Sequence, residues 1–156
     1  MNAALHLEVQ GVYARYARAV DDARFDDWLA LFDTECAYHV IPRENVQRGL
    51  QLPIVRCRTR DMLTDRIVSL QQANIYNIHT DRHMVSNVVV CSETPDDIAA
   101  EADFVIFQTD TEGQSRLFAA GRYRTRLARR DGALLIREQM AVLDTAAVPT
   151  LMATPI

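Results

Sequence analysis

Lysine is absent from this 156-residue sequence, and all 17 of its basic residues are arginines. These positive charges face 21 aspartates and glutamates, so the formal net charge at pH 7 is −4. A general nucleic-acid binder needs a strongly basic surface, so the charge balance argues against a nucleic-acid partner. Guanidinium groups suit partly buried ion pairs at protein interfaces, although biased codon usage explains the same composition.

Cysteines and long apolar runs are also scarce. Cys36, Cys57 and Cys91 follow no repeated spacing, which fits neither a disulfide framework nor a complete zinc site. Apolar runs such as residues 88–91 and 104–107 are too short to span about 30 Å of hydrocarbon. Glu8 interrupts the segment that a signal peptide would need to be apolar. We therefore expect reduced thiols, no membrane span and a cytoplasmic location.

The N-terminal half has helical periodicity. Apolar residues recur at intervals of three and four over residues 2–20, which predicts a first helix. Asp26 and Asp27 precede an apolar segment and favour the start of a short second helix. A first strand is predicted from about residue 37, followed by an edge or irregular segment over residues 43–55. Thr59 is the expected cap of a third helix with Leu63, Ile67 and Leu70 on its apolar face.

Beyond a predicted loop at residues 74–80, the periodicity changes to two. Four alternating runs cover about residues 83–91, 98–108, 116–129 and 133–143, and turn residues such as Asp131-Gly132 join them. Helices followed by long hairpin-connected strands predict an α+β fold, in which a strongly curved sheet wraps around the helices as a cone. The small residues Ala119, Ala120 and Gly121 would permit the curvature. With 49% hydrophobic residues and no linker or repeat, residues 1–156 form one domain.

Metal ligation is a minor interpretation of the histidines and cysteines. Cys36 and His39 have half of an iron–sulfur or zinc ligand pattern, but the second Cys and His pair is missing. His79 and His83 are four residues apart, yet Arg82 would place a positive charge beside a bound cation. We expect these histidines to form hydrogen bonds at a buried or interfacial corner instead.

Two further patterns allow more than one interpretation. The alternate residues Arg122, Arg124 and Arg126 predict a charged strand face, either solvated or paired with acidic groups of another subunit. A hollow cone would also allow acid/base chemistry, with His83 and Asp103 as candidate groups of a free-standing isomerase or dehydratase. A third interpretation is a binding module for small ligands. No phosphate-binding loop or nucleophile elbow is found.

Several motifs resemble the small (β) subunit of aromatic-ring-hydroxylating dioxygenases. They are residues 61–67, residues 73–76, His79, and residues 82–87, together with Asp26-Asp27-Trp28 and Gly121-Arg122-Tyr123. The resemblance covers nearly the whole chain, and residues 144–156 are particularly similar to terephthalate-oxidising members. Anthranilate, benzoate and salicylate hydroxylase small subunits are looser matches.

The resemblance implies a cone of the nuclear-transport-factor-2-like type and a mainly structural role. It implies no cofactor in this chain, because the Rieske 2Fe-2S cluster and the mononuclear iron are expected in the large α subunit. It implies a mixed hexamer of three αβ pairs with β–β trimer contacts, acting on an aromatic carboxylate, most of all terephthalate. By the same resemblance, Arg66, His79, Arg82 and His83 organise the β core or contact α.

Overall fold

Ten helices and strands follow one another along the described part of the chain. The computed structural model describes residues 2–73, 78–145, 147 and 152–156. Its helices are α1 (Ala3–Asp21), α2 (Phe25–Ala30), α3 (Arg43–Gln47) and α4 (Arg60–Gln72). Its strands are β1 (Phe32–Pro42), β2 (Val55–Cys57), β3 (His79–Glu93), β4 (Ile98–Asp110), β5 (Ser115–Arg130) and β6 (Ala133–Leu143).

The two long helices begin at side-chain caps. The Asn2 carboxamide oxygen accepts from the Leu5 amide in α1, and the Thr59 hydroxyl accepts from the Met62 amide in α4. Such caps satisfy amides that have no partner within the first helical turn. The predicted boundaries of α1, and the predicted Thr59 cap, are therefore confirmed.

The strands form one mixed sheet with the order β2-β1-β6-β5-β4-β3. The four long strands pair antiparallel in sequence, as the alternating runs predicted, whereas β1 joins the sheet parallel to β6. The sheet is open, and β3 is one of its edge strands. The α+β class and the nuclear-transport-factor-2-like cone are confirmed.

Three boundaries differ from the sequence predictions. β1 begins at Phe32, five residues before the predicted position, and residues 43–47 form the short helix α3 rather than an irregular segment. β3 begins at His79, inside the predicted loop, because residues 79–82 pair with residues 107–110 of β4. Residues 74–77, the rest of that loop, lie outside the described residues.

The backbones of β5 and β6 approach each other closely at Gly121. A Cβ atom added to Gly121 would lie 2.0 Å from the Val142 carbonyl oxygen of β6. The β4–β5 register also shifts between Ile106 and Phe107. Small residues at this position were predicted to permit bending, and the missing Cβ lets the two backbones approach.

Aromatic side chains fill the interior of the cone. Tyr16 and Trp28 pack edge to face with ring centroids 5.7 Å apart, and Tyr123 stacks on Phe104 with centroids 4.3 Å apart. Ile156 is also buried, and its carbonyl oxygen accepts hydrogen bonds from Tyr16 and Tyr38 at 2.7 and 3.2 Å. The described residues at the end of the chain therefore close part of the interior.

Candidate functional site

A buried carboxylate–imidazole pair joins α1 to β3. The last residue of α1, Asp21, accepts from His83 Nδ1 at 2.5 Å and from the His83 backbone amide at 3.0 and 3.2 Å. Both side chains are almost fully buried, with 4% of Asp21 and 0% of His83 exposed. With Nδ1 donating to the carboxylate, the uncharged form of the imidazole would present Nε2 as an acceptor. That nitrogen has no hydrogen-bond partner among the described residues.

Asp21 was not identified from the sequence. The available signal was a carboxylate in the last turn of a helix, where the helix dipole disfavours negative charge. A residue placed against the dipole needs compensating donors, and His83 supplies two of them, its backbone amide and its Nδ1. The donors come from a strand 62 residues further along the chain, so sequence periodicity alone did not reveal the pairing.

The structure does not bring the two acid/base candidates His83 and Asp103 together. His83 lies opposite Ile106 in the β3–β4 ladder, and both point into the core. Asp103 is three positions before Ile106 in β4. Because side chains alternate between the two faces of a strand, Asp103 lies on the outer face. There the Asp103 carboxylate accepts from Asn87 and from Arg122, which lowers its pKa. The two groups are thus separated by the sheet.

The other residues of the β3 motif have different environments. His79 is largely buried, and its Nε2 lies 3.2 Å from Asp81 Oδ2. Arg82, in contrast, is 66% exposed, and its nearest charged group is Asp21 at 4.0 Å. His79 and His83 therefore form the buried corner that the sequence suggested, whereas the Arg82 side chain is available to a partner.

Arg66 holds the end of the chain against α4. Its Nη2 atom donates to the Met152 carbonyl oxygen at 2.6 Å, and Met152 is itself buried. The guanidinium therefore organises the packing within this chain. Residues 148–151, which belong to the terminal motif, lie outside the described residues.

A second polar chain crosses the core. The Tyr13 hydroxyl lies 2.7 Å from Thr125 Oγ1, which donates to Gln139 Oε1 at 2.6 Å. Burial raises the pKa of Tyr13 above its ordinary value. Burial also raises the pKa of Tyr38, to about 12. These phenols stay protonated at neutral pH, so they act as hydrogen-bonding core residues.

The arginine stripe of β5 pairs with acidic residues in β4 and just before it in the same chain. Arg122 contacts Asp103 at 2.8 Å, Arg124 contacts Glu101 at 3.3 Å, and Arg126 contacts Asp97 at 2.5 Å. The inward neighbours Tyr123, Thr125 and Leu127 are buried, as the alternation predicted. The stripe is thus neutralised within the chain, and acidic partners from another subunit are not needed for that.

The described residues contain no group of three or more His, Cys, Asp or Glu side chains that could hold a metal ion. Cys36 faces the core, whereas His39 is three positions further along β1 and faces the other side of the strand. Burial lowers the pKa of His39 and raises that of Cys36. The described helices also include none that is long and apolar enough to cross a membrane.

A groove of about 670 Å³ runs between α1 and β3. Asp21 and His83 lie on its wall, and Arg82 lies at its rim. Ala14, Ala17, Val85 and Val88 line it with apolar surface. This is the concave surface nearest to the buried pair.

Known proteins with this fold and these motifs place the chain in one class. The chain superimposes with a TM-score of 0.90 on a crystal structure from Novosphingobium aromaticivorans, to which it is 34% identical. The match covers 99% of this chain and 98% of that one. That structure is described as the β subunit of an aromatic-ring-hydroxylating dioxygenase. The family model of the ring hydroxylating beta subunit matches residues 15–150. This chain belongs to that family.

Two relatives of this chain are small subunits of dioxygenases with named substrates. The chain is 37% identical to the anthranilate 1,2-dioxygenase small subunit of Burkholderia cepacia over 96% of its own length and 92% of the relative. It is 33% identical to a terephthalate 1,2-dioxygenase terminal oxygenase β subunit of Comamonas sp, over 96% and 97% of the two lengths. The predicted family is confirmed, and membership implies an α subunit as partner.

Proposed function

We propose that this chain supports a catalytic α subunit in the dioxygenation of an aromatic carboxylate and carries no redox centre itself. The observation that supports the proposal most is the similarity over almost the full length to small subunits of oxygenases. Hydrogen bonds such as Tyr13–Thr125, Arg66–Met152 and Asp21–His83 join polar groups within the chain, which agrees with a structural role. The Rieske 2Fe-2S cluster and the mononuclear iron would belong to α, in a mixed hexamer of three αβ pairs with β–β contacts.

The substrate class follows from what the relatives share. Anthranilate and terephthalate both carry a carboxylate on a benzene ring, and the identities of 37% and 33% favour neither over the other. Terephthalate remains the individual substrate that residues 144–156 suggested. We therefore propose the class, an aromatic ring carboxylate, and include both acids in the test.

The test is co-expression of this chain with its large subunit, followed by oxygen uptake with reductase and a nicotinamide cofactor. The substrates are terephthalate, anthranilate and benzoate, and toluene is the matched ring without a carboxylate. We expect uptake with at least one acid and none with toluene. Uptake with toluene alone would overturn the substrate class.

Arg82 is the motif residue best placed to contact α, because most of its side chain is exposed. A guanidinium that pairs across a subunit boundary becomes desolvated. Truncating such a side chain to alanine weakens the free energy of association by about 2–5 kcal/mol. Arg66, His79 and His83 make their hydrogen bonds or close polar contacts within the chain, so their proposed role is to organise the core.

A further inference from the structure

The groove between α1 and β3 has the dimensions of a small-molecule site. Its volume of about 670 Å³ lies within the range that such ligands occupy. The small side chains of Ala14 and Ala17 lie on the helix wall, and Val85 and Val88 lie on the strand wall. A planar ring would therefore meet apolar surface on both sides.

Two polar groups on these walls lack a side-chain partner among the described residues. Arg18 lines the groove and makes no ion pair or side-chain hydrogen bond among the described residues. His83 also lines it, fully buried, with Nε2 unpartnered among the residues that the structure describes. A buried acceptor without a partner loses its hydrogen bonds to water, so a donor that reaches it gains that interaction.

The carboxylates beside the groove are already engaged. Asp21 accepts from the backbone amide and the Nδ1 of His83, and Asp22 lies 3.6 Å from Arg24. Arg18 and Arg82 are the cations that line the groove; Arg82 lies 4.0 Å from Asp21, whereas Arg18 forms no ion pair among the described residues, so Arg18 is the one we assign to an anion.

Gly11, which lines the same groove, is an unfavourable residue for its position in a helix. Glycine within a helix is unfavourable relative to alanine, and Gly11 lies in the middle of α1. A Cβ there would touch only the end of the Arg15 side chain, at 3.4 Å, so packing does not demand glycine. A larger side chain at this position would instead occupy the groove.

We propose that this groove binds a small aromatic carboxylate with a hydrogen-bond donor on its ring. Arg18 binds the carboxylate, His83 Nε2 accepts from the ring donor, and the apolar walls hold the ring. Because the imidazole is shielded from solvent, binding includes a rearrangement of the side chains that cover it. The choice of ring acids rests on the proposed function, and it makes this subunit a binder of the compounds that the complex oxidises.

The test is a titration of the full chain alone, followed by NMR. The probes are 2-aminobenzoate, aniline, which lacks the carboxylate, and benzoate, which lacks the donor. We expect saturable shifts in α1 and β3 with 2-aminobenzoate, and weaker binding of both controls. Arg18→Gln should weaken binding about tenfold by removing a charge-assisted contact, whereas Arg15→Gln, on the same helix but outside the groove, should not.

A variant that fills the groove separates binding from folding. Gly11→Leu should raise the melting temperature, because leucine favours the helix, and should abolish the shifts. Absence of saturable binding, equal affinity for aniline, or an equal loss in Arg15→Gln would each overturn the inference. Oxygen uptake by the αβ complex is measured separately, so its success beside a failed titration would leave the proposed function standing.

Discussion

Asp21 and His83 connect the C-terminal end of a helix with an edge strand, and their bonds are shielded from water. In Asp21→Ala the imidazole and the backbone amide of His83 would both lose their acceptor. Leaving buried donors without a partner costs about 3 kcal/mol, so we expect the free energy of unfolding to fall by that amount. Urea unfolding followed by circular dichroism measures this change.

Asp22→Ala is the matched control, because Asp22 is the next residue and its side chain is 54% exposed. Exposed ion pairs contribute about 0–1 kcal/mol, so this variant should unfold close to the wild-type midpoint. Equal losses in the two variants would show that the buried pair does not stabilise the junction of α1 and β3.

Buried tyrosines make the protein sensitive to alkali. Burial raises the pKa of Tyr38 to about 12 and raises the pKa values of Tyr13, Tyr16 and Tyr123. An unfolded tyrosine ionises near pH 10, so the stability that these phenols contribute is complete below about pH 10. It is lost as the pH rises towards about 12.

We therefore expect phenolate absorbance and loss of circular dichroism to develop in one transition on raising the pH. Gradual phenolate formation in a chain that keeps its secondary structure would contradict the burial of these hydroxyls.

Which side chains contact each other was the feature hardest to predict from the sequence. Alternation correctly placed Tyr123 inside and Arg122 outside, because side chains in a strand repeat every two positions. Alternation does not show which helix covers a strand, so Asp21 was not identified as the partner of His83. That pairing required the contact between α1 and β3, which links residues far apart in sequence.

At the scale of elements, Gly121 sets how closely β5 approaches β6. In Gly121→Ala the new Cβ would collide with the Val142 carbonyl oxygen, since that oxygen lies 2.0 Å from its position. The strands must separate or shift, which we expect to reduce the free energy of unfolding by about 3 kcal/mol or more. Thermal unfolding beside Ala120→Ser, at the neighbouring position, measures the effect. A wild-type melting temperature for Gly121→Ala would contradict the close approach.

Most elements were predictable because their signals are local. The caps of α1 and α4 and the alternation in β4, β5 and β6 lie within the segments that they define. The early start of β1 at Phe32 was not predictable, since its pairing with Ile136 of β6 joins residues about a hundred positions apart. The helix α3 was missed because proline at residue 42 was taken to precede irregular chain, whereas it is the N-cap residue of the helix.

At the scale of the whole molecule, the proposed partner contact is testable at Arg82. We expect Arg82→Ala to fold normally, because the side chain is mostly exposed, and to lose co-purification with α. Arg124→Ala is the matched control, since Arg124 is also exposed and pairs within the chain. Pull-down through a tag on α, with gel filtration of each variant alone, provides the readout. An intact complex with normal turnover would contradict the contact at Arg82.

We propose that this chain serves a partner that carries the redox chemistry. Metal content and oxygen uptake, measured on the chain alone and on its complex with α, test it most directly. We expect no stoichiometric iron and no oxygen uptake for the isolated chain, and both for the complex. Iron or flavin retained in equal proportion by the isolated chain, or substrate-dependent uptake without α, would contradict it.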